Sequence, residues 1–405
     1  MIEASDVKNP GKYRNWFLFI VAYLVIDYGR PQDVLPIGAL KPGMIVIAVL
    51  SAFLVFSGKL RDAKSKQTRL LLLFIVLLGV FIPFAENNYF AYRATETMVL
   101  FMPFILSTII CVNSIEYLKK LIFVLVLIMI YVSGYSLTHG GKGSGNYFQD
   151  ENDLSLYINM YLPFCFFLFT AEKDKVKKIM CGIGLVVGIA AIIVSFSRGG
   201  LVGLICTAII AWLYSPKKLT SLALICVFGL AIYFYAGDAY WNRMATAKNT
   251  DEGTAAERIE SWKSGWNMFL DNPLGVGGNN FPVRFGEYQT NFFNKVMWGR
   301  QAHSLWFTLL PELGIIGVLI YGSLLYCNIA DINFMRKLKD SNLDLKYIHA
   351  LSAAFLASIV GFCASGTFLS VLYYPHYWYL TAIIVASANV ARQSSVRSEG
   401  GDRSV

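Results

Sequence analysis

About twelve apolar runs, separated by short polar turns, constrain this chain more than any other feature. They fall near residues 16–28, 41–57, 69–84, 95–112, 118–137, 153–171, 178–196, 199–214, 219–236, 303–327, 347–369 and 373–391. Most approach the roughly 20 apolar residues that carry a helix across a bilayer. A soluble domain holds roughly 25% charged residues; here 15% are charged and 56% are hydrophobic. The pattern predicts an all-α, polytopic integral membrane protein of about twelve transmembrane helices. The first run, Trp16–Tyr28, is short and relies on aromatic ends to reach both interfaces. It follows a polar, basic start and ends in GRPQD without a small-residue cleavage pattern, so it reads as a span and not a removed signal.

The formal net charge of +9 would suggest nucleic acid in a soluble protein. In this chain the cations instead sit in clusters between spans, so they report topology and no nucleic-acid partner is expected. With a cytoplasmic N-terminus, the inside segments collect Lys8, Lys12 and Arg14; Lys59, Arg61, Lys64, Lys66 and Arg69; Lys119 and Lys120; Lys173, Lys175, Lys177 and Lys178. Further on they collect Lys217 and Lys218; Arg336, Lys337, Lys339 and Lys346; Arg392, Arg397 and Arg403. That is most of the 35 Lys and Arg residues, as the positive-inside rule requires. Both termini are thus expected inside and the long 237–302 loop outside. The chain divides into an N-terminal bundle of about nine helices (1–236), that loop, C-terminal helices (303–391) and a polar tail (392–405) expected to be disordered. The seven cysteines lie in or beside apolar runs without CxxC spacing and read as small buried residues.

Three stretches carry candidate chemistry. Arg198 sits in SFSRGG, a tight turn on the outer side. It is either a charge marking a turn, with Gly199 and Gly200 supplying backbone freedom, or an anion site, since guanidinium forks bind phosphate oxygens in pairs. Residues 254–270 place Ile259, Trp262, Trp266 and Phe269 at helical spacing, an aromatic face suited to lying on the membrane surface. Arg258 stands one turn before Trp262, either solvated or held at the edge of that face. DNPLGVGGNNFP follows; it lacks the features of a P-loop or a dinucleotide fingerprint and reads as a loop.

The third stretch, WGRQAHSLWFTLLPELGIIG (298–317), sets Arg300 and His303 at the mouth of a long apolar helix. A histidine there can titrate near neutrality and serve as a general base. Glu312 lies nine residues further on. On an ideal helix that is about 900° of rotation and roughly 13 Å of depth, so it faces away from His303. It reads as a buried positioning group whose partner is not apparent. Arg284, Arg300, Tyr288 and Lys142 on the outer side, and the turn bearing Arg30 and Asp33, are further candidates for sugar contacts, as is the segment with Asp150, Glu151 and Asp153.

Taken in order, SFSRGG, ERxxxWxxxxxMFxxNPLGVGxxNF and AHSLWFTLLPELGIIG resemble the O-antigen ligase and Wzy-type polymerase superfamily over about residues 190–320. The resemblance implies a GT-C-like membrane enzyme that needs no metal or other cofactor. It would transfer a glycan from undecaprenyl diphosphate to an acceptor hydroxyl on the periplasmic side of the inner membrane. Lipopolysaccharide O-antigen ligases, polysaccharide polymerases and protein O-oligosaccharyltransferases all share it, and they differ in acceptor. It assigns diphosphate binding to Arg198 and Arg258 and activation of the acceptor to His303. Arg300, Arg284, Glu312, Ser304 and Trp262 are the accompanying substrate-binding candidates. Ser304 stands where the family usually has asparagine, which bears on acceptor positioning. A multi-span transporter is the rival from another class, but such carriers tend to show internal repeats and charged sites at the midplane. This chain has no evident repeat, and its span charges other than Glu312 lie near helix ends.

Overall fold

The computed structural model describes residues 13–145, 147–235, 237–238, 241, 254–290, 296–338 and 343–401. The basic residues before Tyr13, the loop segments 242–253 and 291–295, and positions 402–405 of the tail lie outside them. The described residues are helical, without strands. Helices fall on all the expected apolar ranges: α1 (Arg14–Leu24, continued by a π-helical turn Val25–Gly29), α2 (Pro42–Phe56), α3 (Lys66–Phe81), α4 (Asn88–Cys111), α5 (Ile115–Thr138) and α6 (Glu151–Ala171). Then come α7 (Lys175–Val194), α8 (Arg198–Tyr214) and α9 (Lys218–Tyr235). Two helices lie in the long loop, α10 (Thr254–Asp271) and α11 (Phe281–Tyr288). The chain ends with α12 (Leu305–Lys337), α13 (Leu343–Gly366) and α14 (Pro375–Gly401).

Among the described residues, seven helices are long and apolar enough to cross a membrane by themselves: α2 with the turn before it, and α4, α5, α6, α7, α12 and α13. α8 and the apolar part of α9 are shorter. The molecule is therefore an all-helical polytopic membrane protein. Its outer helices carry the apolar side chains that lipid must cover, such as Phe56, Val80, Leu219 and Phe234. α14 is the opposite case: from Tyr377 to Ala391 nearly every residue is buried, which places it in the middle of the bundle.

α13 packs in a groove between α6 and α8, and small residues set how close the helices come. A Cβ on Gly203 of α8 would stand 2.0 Å from Ser365 Oγ of α13 and 2.4 Å from Asn159 Nδ2 of α6. Asn159 Nδ2 donates to Gly200 O (2.8 Å) and Ser365 Oγ (3.1 Å), joining all three helices. With no water to compete, such buried polar links fix register as well as add stability. They lock the first turn of α8, where Arg198 begins, against the start of α6 and the end of α13.

Candidate active site

The SFSRGG turn joins α7 to α8. Ser195 Oγ donates to Ile192 O (2.6 Å) and pairs with Ser155 Oγ of α6 (2.8 Å). Ser197 caps α8 by accepting from Gly200 N (2.9 Å) and donates to Asn152 Oδ1 (2.7 Å). The left-handed residue in this turn is Phe196 (φ 53°), not a glycine. Gly199 and Gly200 are instead buried in the first turn of α8, and a Cβ on Gly200 would come 2.5 Å from Ser155 Cβ. Close packing, rather than the expected backbone freedom, requires that glycine. Arg198 thus stands at a helix N-terminus, where free amides and the macrodipole favour anions.

α10 packs on α12, turning Ser261, Ser264, Gly265 and Met268 inward. Its aromatic residues divide. Trp266 is 48% exposed, whereas Trp262 folds inward, stacked on Phe307 (5.6 Å, 8° between planes) and near Phe368. Trp262 therefore does not share the exposed aromatic face expected of it. Its Nε1 donates to Ala302 O (3.1 Å), pinning the peptide before His303. On the other side, Ser304 caps α12: its Oγ accepts from Phe307 N (3.4 Å) and its carbonyl accepts from Thr308 Oγ1 (2.7 Å). Between these two fixed points His303 adopts φ 47°, a left-handed conformation that costs a non-glycine residue about 1–2 kcal/mol. Arg300 is tied to α10 through Nε to Ser261 Oγ (2.8 Å) and Nη2 to Glu257 Oε2 (2.9 Å), and its side chain is 12% exposed.

Arg198, Arg258, Arg300 and His303 form one electrostatic cluster. Burial, together with Arg198 and Arg300, pushes the pKa of Arg258 down, and Asp150 acts in the opposite direction. Among the described residues the Arg258 guanidinium has no hydrogen bond or ion pair, so its planar fork is available to an external anion. His303 is held below the ordinary histidine range, first by burial and then by Arg258 and Arg300; Asp150 and Glu257 oppose the shift. The imidazole is therefore neutral at neutral pH and can accept a proton beside a site lined by cations.

Glu312 and Arg284 stand apart from this cluster. α12 is broken at Gly314 (φ 60°, ψ −162°), and the NPLGVGGNN loop inserts into the break. Val276 N donates to Pro311 O (3.0 Å) and Gly277 N to Glu312 O (2.8 Å), while Ile315 N donates to Pro273 O (3.0 Å). The hydrogen bond that would run from Ile315 N to Pro311 O in an unbroken helix is thus divided between the two edges of the loop. The fully buried Glu312 carboxylate accepts from Asn279 N (2.9 Å), from Phe281 N at the start of α11 (3.1 Å), and from Tyr373 OH (2.6 Å). These are the partners that its sequence context left unnamed. Arg284 donates to Asn272 Oδ1 (3.2 Å) and Glu287 Oε2 (2.9 Å), on the outer flank of the same loop.

Sequence reasoning missed Glu257 and Ser261 as the anchors of Arg300, and Asp150 as an acidic neighbour of His303. Glu257 adjoins Arg258 and stands one turn before Ser261, so the spacing was visible, but nothing local ties it to Arg300. Among the described residues, no three His, Cys, Asp or Glu side chains converge as a metal site.

Helices long and apolar enough to cross a membrane, with His303 close to Arg258 and Arg300 and Arg198 close to Arg258, give a polytopic membrane protein with a cationic cluster beside a histidine. Residues 183–322 match the family model described as O-antigen ligase, and this match supports an O-antigen ligase and Wzy-type assignment for that stretch. The matched stretch runs from α7 into α12, taking in Arg198, Arg258, Arg300, His303 and Glu312. No curated protein matches the chain.

Proposed function

We propose that the protein is a glycosyltransferase that moves a glycan from a lipid diphosphate, undecaprenyl diphosphate by family likeness, to an acceptor hydroxyl at the periplasmic face of the inner membrane. The observation that carries this reading is the grouping of Arg198, Arg258 and Arg300 with His303. His303 accepts the proton of the acceptor hydroxyl as its oxygen attacks the anomeric carbon of the donor sugar. The bond from that carbon to the diphosphate breaks, and its electron pair leaves on the diphosphate oxygen. Arg198 and Arg258 stabilise the charge that develops there, an electrostatic effect that is often the largest single contribution to catalysis. Arg300, anchored on α10, holds α10 and the histidine segment in register.

Surface-polysaccharide ligase is the reading we favour within the family; Wzy-type polymerase and protein O-oligosaccharyltransferase differ from it in acceptor. A deletion strain rescued with wild type or His303→Ala separates them on a gel of surface glycans. Polymer that accumulates on the lipid carrier without reaching its final acceptor identifies a ligase. Transfer of single repeat units only identifies a polymerase. Glycan that reaches lipid normally while a glycoprotein disappears identifies a protein-glycosylating enzyme. A normal profile in a deletion strain without a paralogue would return the carrier reading to consideration.

A further inference from the structure

A concave site lined in part by the segment just before His303 differs from the arginine cluster in chemistry. It is a pocket of about 320 Å³ between the α3–α4 turn, α11 and the segment leading to His303, lined by Glu86, Asn87, Phe90, Glu287, Trp298 and Gly299 among others. Its volume is at the lower end of small-ligand sites. Two aromatic side chains are presented to the outside, Trp298 at 63% and Phe90 at 42% exposure. Carboxylates at Glu86 and Glu287 and the amide of Asn87 supply hydrogen-bonding groups.

The walls are held rather than merely adjacent. Asn87 N donates to Asn280 Oδ1 (2.8 Å) and Asn280 Nδ2 donates back to Asn87 O (3.2 Å), clamping the α3–α4 turn to the start of α11. Gly299 N donates to Pro282 O (3.0 Å), fixing the Trp298 segment to α11. The indole lies against Gly286, where a Cβ would come within 3.0 Å of Trp298 Cε2.

We infer that this pocket is a carbohydrate subsite that takes a neutral or amino-sugar ring of the transferred glycan or of its acceptor. Aromatic faces suit the apolar C–H face of a sugar, and carboxylate and amide groups suit its hydroxyls. Two carboxylates, Glu86 and Glu287, against the one guanidinium of Arg284 leave this region net negative, which favours sugar hydroxyls over a phosphate. Glu287 is paired with Arg284 (2.9 Å), which sets its orientation. Trp298 precedes His303 by five residues, a path of at most about 18 Å even when fully extended. The pocket is thus within a few sugar rings of the reacting bond. This inference rests on the glycosyl-transfer reading above.

The test uses the full chain in detergent, with His303→Ala as the background so that no transfer intervenes. Two probes are titrated separately: oligosaccharide released from the host's lipid-linked glycan, and delipidated acceptor oligosaccharide. Saturable binding of one probe is expected, weakened about fivefold to tenfold by Trp298→Ala and retained by Trp298→Phe. The probe that responds identifies the donor or the acceptor as the source. In the active enzyme, Trp298→Ala should raise KM for that same substrate with kcat largely kept, a separation that general misfolding would not produce. No saturable binding of either probe, or equal binding in Trp298→Ala, overturns the subsite even if wild type transfers glycan. Sugar binding that depends on Trp298, combined with a wild-type protein that shows no transfer activity, would uphold the subsite and overturn the proposed reaction.

Discussion

His303 sits between two pinned residues and near two guanidinium groups, and its proton affinity is the quantity on which the proposed reaction turns. The cations around it have a sign that can be tested. Arg300→Gln removes a charge that disfavours the imidazolium, so the pKa of His303 rises towards its ordinary value and the acid limb of the kcat/KM profile moves to higher pH. Glu257→Gln removes a carboxylate that favours the imidazolium, so the limb moves to lower pH. Opposite displacements cannot come from general damage; displacements in the same direction would remove His303 as the titrating base. His303→Ala, Arg258→Ala and Arg198→Ala should each reduce transfer by about 10²–10⁴ while the protein still reaches the membrane. Arg258→Lys should recover little, because an ammonium lacks the fork that holds two oxygens. Full activity in all three alanine variants would dismiss the assignment. Quantitative transfer assays in membranes, with blots for the protein, decide it.

The broken helix α12 shows what was legible in the sequence and what was not. Pro311, Glu312 and Gly314 stood out because apolar spans avoid them, but the nine-residue helical spacing from His303 does not apply, since His303 precedes the helix and is left-handed. The partners of Glu312 did not stand out. Asn279 and Phe281 contribute backbone amides, which carry no sequence signature, and Tyr373 arrives from 61 residues away. The glycines of SFSRGG were misjudged for a related reason: a turn suggests backbone freedom, while the need for space arises from α6, which only the packed structure reveals. Arg198, Arg258 and His303 could be singled out because charges beside apolar runs are conspicuous, whereas Glu257 and Ser261 look like any polar helix surface. Glu312→Gln replaces one acceptor oxygen with a donor, leaving the amide of either Asn279 or Phe281 unpaired at a cost of about 1–3 kcal/mol. Gly314→Ala is harsher, since its Cβ would lie 2.2 Å from Leu274 C at a φ of 60°. Both are expected to lower the thermal midpoint in detergent, Gly314→Ala more, and to open the 272–280 loop to protease. Unchanged melting in both would mean that the loop is not held by the break.

Across the whole molecule, seven independently apolar spans are an odd number and would put the termini on opposite sides, whereas twelve spans put them on the same side. The even count is the expectation that reporter fusions test. α14 falls short by composition, yet it runs the height of the bundle beside α12: Asn328 Nδ2 donates to Tyr377 OH (3.0 Å) and Thr381 Oγ1 (2.8 Å), and Arg392 meets Asp331 near the far end. Surrounded by protein, it has no need of the apolar surface that lipid demands. α1 lies alongside, with Phe17 packed on Tyr117 at the lysine-rich end and the Tyr28 hydroxyl 3.2 Å from His376 Nδ1 towards the other. α3 likewise extends from Gln67, which donates to Asp331 (2.7 Å), to Leu78, which meets Gly278 of the inserted loop. Each therefore makes contacts towards both ends of the bundle, and the proposal that it also crosses rests on the bilayer's fixed thickness. Reporter fusions give the parity directly. Alkaline phosphatase joined within 254–290 should be active, and the same enzyme joined after Lys178, Lys218 or Arg392 should be silent, with a fluorescent tag at the N-terminus lighting the cytoplasm. An active fusion after Arg392 combined with that N-terminal fluorescence would make the number of crossings odd and take one of α1, α3, α8, α9 or α14 out of the count. An inactive fusion in the loop would move His303 and its arginines to the cytoplasmic side, where a donor displayed in the periplasm could not reach them.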